Sequence, residues 1–215
     1  MIAFIDCFVN APVNHCINYF TQKSNIPSSY HMPSKYGLDS LKKCPASCYI
    51  ILGSSSNVDQ RLPWHKDLLS FIIPKIESNT PTLGICFGHQ LIADYYGSVI
   101  ENIDSNCSKK EQIRDVCFTK NTFNYKKDET IKLAYAHSQV ITKLSDEFET
   151  FLESKDFKYE GIKHKKYPFW GVQAHPEASN QFLAEELGMD RDVKVSEVCP
   201  DGINFIMSFL KTNFP

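Results

Sequence analysis

The sequence predicts an α/β fold with a mostly parallel central sheet flanked by helices, and a smaller antiparallel sheet beside it. Three observations predict it. The run Cys48-Tyr49-Ile50-Ile51-Leu52 is continuously apolar between Pro45 and Gly53, as a strand buried on both faces requires. A helical repeat and a second apolar strand follow at once, and strand–helix–strand–helix succession marks a parallel sheet. From Gly97 onward, strand-like segments follow one another with no long helix between them, which predicts antiparallel pairing.

Residues 1–8 read as a short, mostly apolar strand, followed by a polar turn over 10–14. Ile17, Tyr19 and Phe20 place a short helix over 15–22, and residues 24–34, rich in Ser and Pro, read as a loop. After the strand at 48–52, Gly53-Ser54-Ser55-Ser56-Asn57 is a small-residue loop. Pro63 suits the first turn of a helix. Leu68, Leu69, Ile72, Ile73 and Ile76 recur at helical spacing, so 64–77 is an amphipathic helix. Residues 82–85 form the next strand, and a helix runs from the following turn to about Tyr96. Strands are expected at 113–118, 131–136, 150–153, 159–163 and 169–174, with 121–129 a hairpin or surface loop. Helices are expected at 178–187 and 202–210, joined by a charged connection over 188–201. The length suits one domain spanning 1–215.

Composition excludes several classes. A formal net charge of −2 and pI near 6.4 lack the basic face of a nucleic-acid binder. The lysine groups at 109–110, 126–127 and 163–166 read as solvated loops. No apolar stretch approaches the roughly 20 residues that span a bilayer, so no membrane partner is expected. The N-terminal run has no basic flank and Asp6 interrupts it, unlike a signal peptide. Eight irregularly spaced cysteines without a secretory signal read as reduced thiols in the cytoplasm. Cys44-Pro-Ala-Ser-Cys48 lacks a second Cys/His pair to complete a tetrahedral set, so no metal is expected.

The chemistry centres on Gly84-Ile85-Cys86-Phe87-Gly88-His89-Gln90, a Gly-x-nucleophile-x-Gly turn between strand and helix. So tight a turn leaves no room for side chains two residues before and after the nucleophile, and glycine tolerates the backbone angles expected there. Cys86 would sit at a strand's end beside a helix N-terminus, where the dipole favours thiolate. The plainer alternative is a buried cysteine in a glycine-bearing turn. Far along the chain, Trp170-Gly171-Val172-Gln173-Ala174-His175-Pro176-Glu177 ends a strand before a helix. On extended chain His175 and Glu177 face one side. Histidine can take a thiol proton and return it to a leaving amine, and a carboxylate on its other nitrogen fixes the tautomer. The alternative for His-Pro-Glu is a helix cap with Glu177 at the N-terminus. His15, His31, His65 and His164 read as surface or core residues.

These two segments resemble the signature motifs of class I glutamine amidotransferase domains, with the closest likeness to the GMP-synthase-like branch, from about Ile50 to the C-terminus. The resemblance implies a three-layer, flavodoxin-like fold. It also implies that Cys86 attacks the side-chain amide of glutamine, giving a γ-glutamyl thioester and ammonia, with His175 and Glu177 completing the triad. No cofactor is implied. Ile50-Ile51-Leu52-Gly53-Ser54 is similar to the segment supplying half of the family's oxyanion hole. The N–H of Phe87, with that of Ser54 (Gly53 being the alternative), would hold the oxyanion, and removing one such donor typically costs about 3 kcal/mol. Gly97-Ser98-Val99 is similar to the turn after the family's elbow helix. Gln90, His137, Ser138 and Gln139 are the implied substrate-orienting positions, against readings as helix packing and a hairpin. Where the family has Gly-Gly-Pro, this chain has Gly53-Ser54-Ser55, which places a serine where glycine's backbone angles are expected.

Three functions follow from the resemblance. One is a glutamine-hydrolysing subunit passing ammonia to a separate synthetase. Another is a free-standing γ-glutamyl hydrolase acting on a γ-glutamyl conjugate. The third is a non-catalytic regulatory protein on the same scaffold, which the complete set of triad residues disfavours.

Overall fold

The parallel half of the molecule is built where the apolar runs are longest. In the computed structural model, which describes residues 1–10, 12, 14–104 and 110–213, β1 (Ile2–Ile5), β3 (Cys48–Ile51) and β4 (Thr82–Ile85) are buried at every position. The expected turn at 10–14 and the lysine pair at 109–110 fall partly outside the described residues. Between these strands lie α1 (Asn14–Lys23), β2 (Ser28–His31), and two single-turn helices, α2 (Pro33–Tyr36) and α3 (Asp39–Lys42). A 3-10 turn (Val58–Gln60) leads to α4 (Pro63–Glu77), with Pro63 in its first turn as expected. The helix α5 (Phe87–Tyr95) follows β4 after a single residue, Cys86.

The remainder comprises β5 (Val99–Asn102), β6 (Lys110–Phe118), β7 (Thr130–His137), β8 (Gln139–Lys143), β9 (Phe148–Glu153), β10 (Gly161–His164) and β11 (Phe169–Val172). It closes with α6 (Asn180–Glu186), α7 (Val195–Val198) and α8 (Asp201–Asn213). One nine-stranded sheet runs β2-β1-β3-β4-β11-β10-β9-β6-β7, and β5 pairs with β8 in a separate two-stranded sheet. The first five strands of the large sheet are parallel and its last four antiparallel.

Alternate residues of the parallel strands feed two cores, which is why their sequences are continuously apolar. Ile2, Phe4, Ile50, Leu83 and Ile85 pack with α1 and α8 through Phe20, Phe205 and Phe209. Ala3, Ile5, Tyr49 and Ile51 pack on the opposite face with Leu68, Ile72 and Ile76 of α4 and Leu91 of α5. Helix, sheet and helix make the three layers. Each fully buried Phe or Ile contributes roughly 1.5–3 kcal/mol.

Several expectations are corrected. Residues 28–31, read as loop, form the edge strand β2; Ser28, Ser29 and Tyr30 are only part-buried, so the polar pattern hides a strand held by main-chain pairing to β1. The strand at 169–172 is antiparallel to β10 but parallel to β4, with Gly171 opposite Gly84 and Val172 opposite Ile85. The uninterrupted strands that led to an antiparallel reading therefore bring the chain back into the parallel half. The stretch at 121–129 does lie in the hairpin connection between β6 and β7, but it also drives Phe123 inward, its ring 5.6 Å from Phe205 and 5.7 Å from Trp170 and Phe209. Among the described residues no helix is long and apolar enough to cross a membrane.

Candidate active site

β3, β4 and β11 lie side by side and parallel, so the segments that leave their carboxyl ends converge, as ligand-binding loops do in open α/β sheets. These segments are the loop from Gly53, the turn at Cys86, and the stretch from Gln173 to Glu177.

The turn at Cys86 is strained at the nucleophile itself. Cys86 has φ 50° and ψ −102°, a conformation outside the ordinary wells of an L-residue. Gly84 and Gly88 are not among the residues of positive φ, so the flanking glycines supply room and not unusual backbone angles. A Cβ on Gly84 would stand 2.7 Å from the Gly88 carbonyl carbon, and one on Gly88 would stand 2.6 Å from the Ile51 oxygen. The Cys86 N–H donates to Val172 O at 2.8 Å, and its carbonyl accepts from Gln90 N at 3.0 Å, which pins the turn between β11 and α5.

His175 is held from below and from one side. Its N–H donates to Ala134 O of β7 at 2.8 Å, and its Nδ1 lies 2.8 Å from Glu177 Oε1. The i, i+2 spacing thus brings ring and carboxylate together as the extended chain predicts. Both side chains are buried. Burial alone would lower the imidazole pKa; the charges of Glu177 and Cys86, with hydrogen bonds to both, outweigh it and raise it to about 10. Nδ1 being committed to Glu177, Nε2 is the nitrogen left for the thiol. A Cβ built on Gly53 would be 2.8 Å from His175 Cε1 and 3.7 Å from Cys86 Cβ, so both side chains crowd the same spot beneath Gly53. Phe182 of α6 covers the ring at 4.7 Å between centroids.

The loop after β3 is also corrected. Neither Gly53 nor Ser54 nor Ser55 has a positive φ, so the serines carry no glycine-like strain. Gly53 is required for space against the imidazole. Among the described residues no backbone carbonyl accepts the N–H of Ser54 or of Phe87.

Cys86, Ser54, Phe87, Gln90, His137, Ser138, Gln139 and His175 all line one cavity of about 450 Å³. Gly53 and Glu177 stand behind its wall, against His175. The implied substrate-orienting residues are engaged within the protein only in part, since His137 Nε2 and Gln139 Oε1 have no partner among the described residues. Gln90 Nε2 donates to Gln139 O at 2.7 Å and to Gln173 Oε1 at 2.9 Å. The Gln139 carbonyl also receives the His137 Nδ1–H at 3.0 Å, which occupies both of its lone pairs. Burial lowers the His137 pKa to about 4, so this ring is neutral.

Sequence reasoning missed four contributors. Gln173 Nε2 reaches Cys86 Sγ at 3.6 Å; it sat inside the quoted motif without a role. Phe182 and Glu186, one helical turn apart on α6, close the cavity, as do the serine hydroxyls beyond Gly53. No local signal marks the α6 pair, because only the fold brings that helix to the site.

A family model for class-I glutamine amidotransferases matches residues 41–187. By sequence the chain is 31% identical over 104 residues to a glutamine-hydrolysing GMP synthase of Francisella tularensis subsp. holarctica, covering 48% of this chain and 20% of that protein. A GMP synthase of Francisella philomiragia is 30% identical over 105 residues, with the same coverage. The chain therefore spans about a fifth of the length of these curated relatives. Among solved structures, a glutamine amidotransferase of Thermotoga maritima superposes with a TM-score of 0.73 at 17% identity, covering 99% of this chain and 97% of that one. A chain of PurLQS from the same organism gives 0.72 at 18% identity, covering 98% of both. At these identities the likeness is one of fold.

Proposed function

The chain belongs to the class-I glutamine amidotransferase family, and from that premise we propose that it hydrolyses the side-chain amide of glutamine to glutamate and ammonia through a thioester on Cys86. The observation that carries the reading is the convergence beneath Gly53 of the strained Cys86 turn and the buried His175–Glu177 pair.

Cys86 gives its proton to His175 Nε2 and its sulfur attacks the amide carbon. The developing oxyanion lies toward the N–H groups of Phe87 and Ser54, neither of which has a backbone acceptor among the described residues. Such preorganised donors are worth about 3 kcal/mol each in the barrier. His175, its imidazolium stabilised by Glu177, returns the proton to the leaving nitrogen. The C–N bond breaks, ammonia departs and the γ-glutamyl thioester remains. Water then attacks, His175 takes its proton, and the C–S bond breaks to release glutamate and restore the thiol.

At the far end of glutamine, Glu186 is a carboxylate lining the cavity, and among the described residues neither Lys nor Arg lines it. The α-ammonium would lie toward Glu186, and the α-carboxylate would be met by neutral donors such as the Ser55 hydroxyl. The ammonia would pass to a separate synthetase; the GMP synthases among the relatives suggest that class of partner. Purified protein should release glutamate from glutamine, and Cys86→Ala should abolish release while leaving the far-UV circular dichroism unchanged. Equal inactivity of both proteins on glutamine and on γ-glutamyl-p-nitroanilide would refute the reading. Activity that stays low until an ammonia-accepting synthetase is added supports a subunit; full activity alone supports a free γ-glutamyl hydrolase.

A further inference from the structure

The oxyanion loop has serines where the family's glycine and proline would stand, and their hydroxyls are joined in a line. Ser54 Oγ donates to Cys7 O at 2.6 Å, an acceptor that can take only a proton from it. Ser54 Oγ must then accept from Ser56 Oγ at 2.8 Å, as it does from Ser56 N at 3.0 Å. With its own proton spent, Ser56 Oγ is left as acceptor toward His65 Nε2 at 3.3 Å. Each hydroxyl has one proton to give, so the chain has a single direction: His65 to Ser56, Ser56 to Ser54, Ser54 to the main chain after β1. It requires an imidazole protonated on Nε2, and His65 Nδ1 has no partner among the described residues. Burial, and secondarily Arg61, keeps that ring neutral by lowering its pKa to about 4. The same ring packs against Phe87, 5.0 Å between centroids, so His65 touches the residue that carries the other oxyanion donor.

We propose that His65, Ser56 and Ser54 form a directed hydrogen-bond chain that positions the Ser54 N–H for the oxyanion, fixing by side-chain bonds a loop that lacks glycine–proline stiffness. The proposal rests on the hydrolase reading above. These are positioning residues: the substrate is met by the Ser54 amide, and the hydroxyls and imidazole act through it. Because alignment of a donor matters to within about 1 Å, loosening the loop should slow amide cleavage without weakening glutamine binding.

The experiment compares glutamine hydrolysis with alkylation of Cys86 by iodoacetamide, a displacement at saturated carbon that builds no oxyanion. Ser54→Ala, which removes the central oxygen, should lower kcat about 30-fold, with Ser56→Ala near 10-fold, against the roughly 100-fold or more of losing a donor outright. KM and the alkylation rate should each stay within about twofold of wild type, on the ground that uniform binding and thiol reactivity are untouched. His65→Gln, which keeps an N–H donor, should retain more activity than His65→Leu; should His65→Leu fail to fold, the two serine variants decide. Unchanged kcat in both serine variants overturns the proposal, as does an equal fall in alkylation and hydrolysis. A wild type that is alkylated at Cys86 yet cleaves neither glutamine nor γ-glutamyl-p-nitroanilide overturns the hydrolase reading and the chain's role with it. An active wild type with unaffected serine variants overturns the chain's role alone.

Discussion

The turn at Cys86 and the loop at Gly53 border the same cavity through Phe87 and Ser54, and they are held by opposite means. At Cys86 the geometry is enforced by lack of space: Gly88 lies so close to β3 that a Cβ would reach 2.6 Å from the Ile51 oxygen, and the strain falls on Cys86 itself. At Gly53 the backbone is unstrained, and the loop is tied by hydroxyl bonds among Ser54, Ser56 and Cys7. A turn defined by packing admits one arrangement, because interiors are nearly incompressible. A loop defined by a few part-buried hydrogen bonds can loosen by degrees. The first is therefore expected to fail all at once and the second gradually.

Replacements should expose that difference, beginning with the largest. Cys86→Ala removes the nucleophile and should lower glutamine turnover by about 10⁴-fold or more, with thermal unfolding unchanged; residual turnover within tenfold of wild type would place the chemistry elsewhere. Gly88→Ala forces a Cβ into Ile51 and should destabilise the fold by about 3 kcal/mol or more, read as a lowered urea midpoint; a normal midpoint would show that the turn can relax. Gly53→Ala meets a side chain, the His175 ring at 2.8 Å, so the midpoint should hold while kcat falls about 100-fold, the cost of a displacement near 1 Å.

Glu177→Gln should act more mildly, lowering kcat about tenfold, less than the roughly 100-fold or more of losing a general acid–base group itself, and it carries a pH signature. Burial pulls the His175 pKa down and Glu177 with Cys86 pushes it up to about 10; removing the carboxylate should drop it, seen as an acid-ward shift of the His175 ring resonances by NMR titration. The sign for stability follows. A raised folded-state pKa contributes stability fully present below the unfolded value of 6.5 and lost as pH climbs toward 10. The gap in urea midpoint between wild type and Glu177→Gln should thus be widest near pH 6 and narrow with rising pH; a gap that widens instead would contradict the assignment. The smallest effect is expected at Arg61, just past the loop, which bridges to Asp94 of α5 with Nη2 2.8 Å from Oδ1. Arg61 is 64% exposed, and such surface pairs contribute about 0–1 kcal/mol. Arg61→Ala should leave kcat and the midpoint nearly unchanged; a marked fall in kcat would mean that turn and loop are coupled through the surface.

Much of the site was legible because its parts are local. The glycine spacing around Cys86 and the i, i+2 placement of His175 and Glu177 are short-range requirements that sequence displays directly. The buried runs at 48–51 and 82–85 were legible because double-sided burial leaves no polar position. β2 was missed because an edge strand needs main-chain pairing more than apolar side chains, and Ser28-Ser29-Tyr30 reads as a turn. The antiparallel pairing of β11 with β10 was expected, but nothing in Phe169-Trp170-Gly171-Val172 reveals that its other edge will lie parallel to β4.

By itself the sequence determined the family and the α/β rhythm, and it singled out Cys86, His175 and Glu177 as candidates, since each depends on residues near one another in the chain. Among the described residues, tertiary structure alone decided which N–H groups lack backbone acceptors, that the Gln90 amide nitrogen and the Gln139 carbonyl are spent on internal hydrogen bonds, and that Phe182 and Glu186 line the cavity. It also decided why Gly53 is glycine. The physical reason is common to these cases: satisfaction of a polar group and the room left for a Cβ depend on what packs against them from distant segments, which no local pattern records.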